Sequence, residues 1–245
     1  LKEGTSVKQL ATAIAVIGGI ALLHGLIILL VRDWKVAAIA AAGAFLGWFY
    51  SAPPLKLAYR GLGELVIGVI FGPLLMIGVY YSACGIIDSN IVLVSIPVGL
   101  LVLNILFTHS FIDLPADTES NKMTFARLIG SDKGNLIASW CFNLLPFAIV
   151  VAGVIAGWLH PASLVVLLVL PRAIWLCRSL GRFVKGDKDV KEVPGYLGRF
   201  ENWDGICQAG LGWFMARWYC ARNLLSGFCS LLVIANLIVF IIKLF

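Results

Sequence analysis

Asp113 and Asp117 close the stretch Thr108-His109-Ser110-Phe111-Ile112-Asp113-Leu114-Pro115-Ala116-Asp117-Thr118-Glu119. Carboxylates four residues apart lie on one side of a helical turn, with Pro115 as a local distortion. Mg²⁺ commonly takes one or two carboxylates and completes its shell with water and substrate phosphates. Lys122 and Arg127 follow closely in sequence, so the group suits a metal–diphosphate cluster. The same spacing also suits a solvated acidic cap between two helices. D-x3-D alone leaves both readings open.

Other polar residues carry paired readings of the same kind. His109, Asp113 and Asp117 can be drawn as a metal triad, but Mg²⁺ prefers oxygen ligands, and a histidine at a helix end more commonly bonds locally. Tyr50, Lys56, Tyr59, Arg60 and Glu64 cluster around Pro53-Pro54, with Gly61 and Gly63 allowing tight re-entry of the chain. They read either as a binding group or as interfacial anchors. Asn104, Asn143 and Arg172 fall inside apolar runs, where polar groups face a cavity or bond a neighbouring helix. Phe200–Asn223, with Trp203, Trp213, Trp218 and Tyr219, reads as an aromatic belt on a surface helix, with Arg217, Arg222 and Asn223 within reach of a site mouth. Residues 181–199 read as a mobile, solvated loop. The six cysteines form no CxxC pair and read as small apolar fillers.

These residues hang on a strongly apolar framework. Hydrophobic residues make up 60% of the 245 positions and charged ones 13%, with a mean hydropathy of +0.96; soluble domains average about a quarter charged. The patterns are helical rather than short alternations, which predicts an all-α polytopic membrane protein. Seven spans are expected, near 9–31, 35–51, 64–83, 89–111, 135–157, 161–180 and 224–244. The second is short and ends at the proline pair. Alternate connections then share a face. One face carries Lys2, Lys8, Lys56, Arg60, Lys122, Arg127, Lys133, Arg182, Lys185, Lys188, Lys191, Arg199, Arg217 and Arg222, with Arg178 at its edge; the other carries Arg32, Lys35 and Lys243. The positive-inside rule places the basic face, which also holds both aspartates, in the cytoplasm of a multi-pass cell-membrane protein. The +6 net charge follows from that topology, and no compact basic domain is present to dock a nucleic acid.

A wider string, Asp113-x3-Asp117-x6-Thr124-x2-Arg127-Leu128-x-Gly130, resembles the second aspartate-rich motif of the UbiA superfamily of intramembrane prenyltransferases. Tyr50-Ser-Ala-Pro-Pro-Leu-Lys56-Leu-Ala-Tyr59-Arg60-Gly61-Leu62-Gly63-Glu64, then Phe71-Gly72-Pro73 and Tyr80-Tyr81, is similar to the branch that includes 1,4-dihydroxy-2-naphthoate polyprenyltransferases. The resemblance implies nine helices around a central cavity, with two aspartate-rich loops holding Mg²⁺ and a polyprenyl diphosphate. On that pattern Asp113 and Asp117 are the metal-binding and catalytic pair, and Lys56, Arg60, Lys122 and Arg127 serve the diphosphate. Tyr50, Tyr59 and Glu64 line the acceptor side or the cavity, with Glu64 alternatively structuring its loop; Asn104, as a polar residue within an apolar span, is a further cavity candidate. Three departures stand out. The first aspartate-rich motif is absent, which fits a single prenyltransferase domain over 1–245 that begins at Leu1 without its first two helices. His109, Ser110 and Ile112 replace asparagines and an arginine of the branch. Asn121 stands where glycine is usual.

The implied reaction joins a polyprenyl chain to an aromatic acceptor, 1,4-dihydroxy-2-naphthoate in the menaquinone pathway. Other acceptors within the superfamily are 4-hydroxybenzoate, homogentisate and a glycerol-phosphate lipid. A cation-binding transporter is the reading from another class. It requires ionisable groups near mid-membrane and an inverted repeat, whereas this chain masses its acids at one face and shows no repeat.

Overall fold

A computed structural model describes residues 6–190 and 192–244, with only the backbone of 243 and 244; Lys2 and Lys191 lie outside it, as does the Lys243 side chain. The described residues form an all-helical bundle. Its elements are α1 (Val7–Val31), α2 (Trp34–Ser51), α3 (Gly63–Cys84), α4 (Ser89–Ile112), α5 (Leu114–Glu119), α6 (Phe125–Ile129), α7 (Asp132–Ile155), α8 (Pro161–Val184), α9 (Trp203–Gln208) and α10 (Gly212–Leu244). α1, α3, α4, α7, α8 and α10 are long and apolar enough to cross a membrane. α2 is not among those six. Its ends nonetheless align with those of α3: Arg32, just before α2, donates from Nε to Ser82 O at the end of α3 (2.9 Å), while Tyr50 near its other end packs beside Gly63 at the start of α3. α2 therefore runs beside α3 through the same layer, but of the seven spans expected from the sequence only six helices among the described residues have the length and apolarity of a membrane crossing.

Local chemistry sets most boundaries. Asp33, Asp88 and Ser131 accept the backbone N–H groups of Lys35, Asn90 and Gly134, capping α2, α4 and α7. The Tyr81 hydroxyl, then the Lys35 amide and ammonium, hold the Asp33 carboxyl below its usual range. Arg32 also reaches Ala83 O, so this basic residue of the opposite face ties off orphan carbonyls at the end of α3.

α4 is the axis of the bundle and buries twelve residues along its length. In lipid there is little hydrophobic drive between helices, so close packing and interhelical hydrogen bonds decide the arrangement. Gly68 and Gly72 on α3 meet Gly99 on α4 so closely that a Cβ on Gly72 would lie 2.5 Å from Gly99 Cα. α3 takes a π turn over Ile70–Leu74 around Pro73 at this crossing. Two apolar clusters complete the core. Leu101, Phe147, Val166, Leu224 and Phe228 form one; Phe107, Phe111, Ala126, Leu176 and Leu180, nearer the basic face, form the other. α1 buries none of its residues.

Two expectations are corrected at the carboxyl-terminal end. Residues 212–223 are not a separate surface helix: they are the first three turns of the 33-residue α10. Trp213 stacks on Phe183 of α8 at 5.8 Å and 2° rather than facing a lipid interface. Residues 181–184 belong to α8, and 194–201 are clamped onto α10. Asn223 Nδ2 donates to Leu197 O and Arg199 O, both at 3.0 Å, and Arg222 pairs with Glu201 at 3.6 Å. Arg172 donates to Tyr196 O and Asn223 O at 2.8 and 2.7 Å, while fully buried Arg217 donates to Ser179 O at 3.2 Å and Lys188 O at 3.3 Å. These polar groups satisfy one another's backbone and do not reach a site mouth. All six cysteines are free.

Candidate active site

α4 delivers the aspartates to the basic face. Its last turn ends at Asp113, where α5 begins with Leu114-Pro115, proline being suited to a first helical turn. Asp117 follows one turn later and is 4% exposed. Its Oδ1 accepts the Lys122 ammonium at 3.1 Å, and its Oδ2 is buried without a hydrogen-bond partner. A buried carboxylate oxygen left unsatisfied is costly, and a cation is the partner such an oxygen fits. Half-buried Asp113 has no side-chain bond among the described residues. No group of three metal-binding side chains occurs among those residues either. Two carboxylates facing a phosphate-rich substrate are what Mg²⁺ sites commonly use, and the donor set fits that pattern.

The chain then turns at Asn121, whose φ of +57° is left-handed. Asparagine tolerates this region better than any residue except glycine, so the departure from the glycine usual in the motif preserves the turn. Arg127 braces the turn by donating to Lys122 O at 3.1 Å and to Asn121 Oδ1 at 3.4 Å.

A pocket of about 240 Å³ opens beside Lys122, lined by Tyr50, Glu64, His109, Ser110 and Thr124 together with Ala58, Gly63 and Leu106. Residues from the proline loop, α3, α4 and the aspartate loop converge there. Glu64, 6% exposed, joins them: it accepts the Ser110 hydroxyl at 2.7 Å and the Phe125 N–H at 3.2 and 3.3 Å. Its carboxylate thus takes over the capping of α6. Thr124 occupies the N-cap position yet makes no capping bond, and its Oγ1 is buried without a partner. That hydroxyl, like Asp117 Oδ2, has no hydrogen-bond partner among the described residues.

The predicted site residues divide accordingly. Tyr50, Glu64 and Lys122 line the pocket, and Asp117 joins them through Lys122. Glu64 is the pin between loops rather than a free acceptor-binding group. Asn104 is placed elsewhere: fully buried in the bundle, it exchanges amide hydrogen bonds of 3.0 and 3.1 Å with Asn143 and lines no part of this pocket. Tyr59 is 64% exposed. Arg60 is exposed and donates to Pro54 O. Lys56 is exposed and held at a φ of +45°. Neither Lys56, Tyr59 nor Arg60 lines the pocket. His109, for which a local hydrogen bond was expected, instead packs edge-on against Phe214 at 5.1 Å and faces the pocket. Ser110 and Thr124 were the missed lining residues. The Thr124 spacing within the motif was the signal for one, and nothing local marked the other.

The sequence model of the UbiA prenyltransferase family matches residues 6–193. The chain is 28% identical over 183 residues to a 2-carboxy-1,4-naphthoquinone phytyltransferase of Synechocystis sp., covering 74% of this chain and 59% of that protein. It is 28% identical over 175 residues to the 1,4-dihydroxy-2-naphthoate octaprenyltransferase of Bacillus subtilis, covering 71% and 55% respectively. With the enzyme of the same name from Mycobacterium tuberculosis it shares 30% over 118 residues, 47% of this chain and 39% of that one. The chain therefore spans little more than half the length of the first two relatives. No solved structure matches it.

Proposed function

The chain belongs to the UbiA prenyltransferase family, and from that premise we propose that it carries the second aspartate loop of a membrane enzyme that transfers a polyprenyl group from its diphosphate to 1,4-dihydroxy-2-naphthoate, a step of menaquinone synthesis. The carrying observation is Asp117 Oδ2, buried and unpartnered in a carboxylate whose Oδ1 holds Lys122, a residue that lines the pocket. Names of two relatives, each specifying a dihydroxynaphthoate substrate, support the acceptor.

Asp113 and Asp117 would hold a divalent cation, proposed as Mg²⁺. When bound, that cation supplies charge neutralisation for the diphosphate leaving group. Lys122 adds a positive charge beside Asp117, and the Thr124 hydroxyl offers a donor to a phosphate oxygen. Tyr50 and His109 bound the pocket from α2 and α4, and Leu106 gives it an apolar floor. In the transfer the carbon–oxygen bond to the diphosphate breaks, the acceptor ring bonds to the allylic carbon, and the ring carboxyl departs as CO₂. Preorganised charge in a site closed to water is the physical basis of the acceleration. The loops would face the cytoplasm, on the basic side of the cell membrane.

The test uses the full-length protein in detergent with a labelled polyprenyl diphosphate, Mg²⁺ and a panel of aromatic acceptors. Transfer to dihydroxynaphthoate is expected, with Asp113→Ala and Asp117→Ala each lowering kcat by at least about 100-fold, the scale of losing a key electrostatic group. Product only with 4-hydroxybenzoate or homogentisate would move the acceptor assignment. Full activity in both variants would refute the site.

A further inference from the structure

A groove of about 940 Å³ runs along the carboxyl-terminal half of α8 and shares no lining residue with the aspartate pocket. Its floor includes Leu136 of α7 with Ile174 and Trp175 of α8, and its rim carries Arg178, Arg182 and Lys185. We propose that this groove binds an anionic phospholipid of the bilayer, its phosphate held by the three cations and its chains laid against the apolar floor.

The spacing 178, 182, 185 places the three cations on one face of α8 within two turns. All three are exposed, and none takes part in an ion pair among the described residues. The acids that follow, Asp187 and Asp189, are exposed on the next loop and likewise form no pair. Three like charges so close repel one another, and an anion between them relieves that repulsion. Depth selects the kind of anion. α7 starts and α8 ends at the basic face, so the cations stand at headgroup level. Ile174 and Trp175 lie about one turn deeper, where acyl chains begin. Basic hollows between helices at this level are suited to anionic lipid headgroups, and an indole at the interface is a common companion. The far wall is already in place: Tyr196 lines the groove and is fixed through its carbonyl by Arg172 at 2.8 Å. A free phosphate would satisfy the rim but leave the floor without a partner.

Binding is read by native mass spectrometry of full-length protein titrated with phosphatidylglycerol or phosphatidylcholine of matched chains. Phosphatidylglycerol is expected to bind at least tenfold more tightly. A surface Lys or Arg is worth about fivefold in affinity for anionic lipid, so Arg178→Gln/Arg182→Gln/Lys185→Gln should weaken it on the order of 100-fold. Lys8→Gln/Lys133→Gln/Arg199→Gln, equal in charge but outside the groove, should leave it unchanged. Should the groove variant not be monodisperse, Arg182→Gln alone is the substitute, with a loss of about fivefold expected. Equal binding of the two lipids would overturn the proposal, as would a loss below twofold in whichever groove variant is measured. Displacement of phosphatidylglycerol by inorganic diphosphate at micromolar concentration would also overturn it, assigning the rim to free phosphate.

Discussion

Removing the Glu64 carboxylate separates two ideas about this residue, a ligand for the acceptor ring and a pin between loops. Glu64→Ala leaves the Ser110 hydroxyl and the Phe125 N–H, bonded at 2.7 and 3.2 Å, facing a small void. An unsatisfied buried polar group costs about 1–3 kcal/mol, so two of them sum to roughly 2–6 kcal/mol. Glu64→Gln keeps the volume and one acceptor oxygen, and its cost should fall to about 1–2 kcal/mol. For chains of 150–250 residues, each kcal/mol lowers Tm by about 2–4 °C. Melting of the full-length protein in detergent should therefore rank wild type above Gln above Ala. Amide exchange should rise over 120–129 in the alanine variant, because the first N–H of α6 has lost its acceptor, while α7 and α10 exchange as before. In the transfer assay the KM for the diphosphate substrate should increase along the same series, since Lys122 and Thr124 ride on that segment. Wild-type exchange over 120–129 together with a raised KM for the aromatic acceptor alone would refute the pin and restore the ligand reading.

Three further outcomes follow from the packing and from the pocket. Gly72→Ala places a methyl 2.5–2.8 Å from backbone atoms of Gly99 and Ser95, which must move apart. A loss of about 1–3 kcal/mol is expected in thermal unfolding, whereas Gly18→Ala, with nothing within 4 Å, should be neutral or slightly stabilising. Asn104→Leu and Asn143→Leu should each destabilise by about 1–2 kcal/mol, and the double variant by less than their sum. Strict additivity in that cycle would show that the reciprocal amide pair contributes nothing. Thr124→Val removes a buried hydroxyl that makes no bond; Tm should hold within about 1 °C on this account, while the KM for the diphosphate substrate rises. A large fall in Tm would mean that Thr124 caps α6 after all.

Features carried by neighbouring residues were legible in the sequence. Arg32-Asp33, Asp88 and His160-Pro161 mark helix junctions because capping and proline chemistry act over two or three positions, and each lies at an observed helix boundary. Features made by distant partners were not. Glu64 bonds residues 46 and 61 positions away. Asn104 meets Asn143 across 39 positions, so a polar residue inside an apolar run gave no sign of whether it faced a cavity or a twin. The start of α10 was misread for the same reason. Arg217, Arg222 and Asn223 look like a surface set when their partners are backbone carbonyls of α8 and of residues 188–199, which carry no signature in side-chain types. Orientation was the other gap: His109 and Ser110 are adjacent, and only the rotation of α4 against α3 decides that both face the pocket.

The same distinction bears on what holds the aspartate loop in shape. α6 has five residues, too few to persist alone, because helix nucleation costs more than one turn returns. It is fixed from three sides by residues outside the D-x3-D motif. Glu64 binds its first N–H. Asn135 of α7, fully buried, donates to Ala126 O at 3.0 Å. Gly61, at a φ of +75°, lets the proline loop come so close that a Cβ there would stand 3.1 Å from Thr124 O. With the capping role taken by Glu64, the threonine hydroxyl is released toward the pocket. With the turn at Asn121 braced by Arg127, Lys122 is held on Asp117. The carboxylate pair is thus one part of a larger device, in which α3 and α7 supply the rigidity that a short polar loop lacks. A substitution at Gly61 or Asn135, neither of which lines the pocket, should disturb the site as surely as one at Lys122.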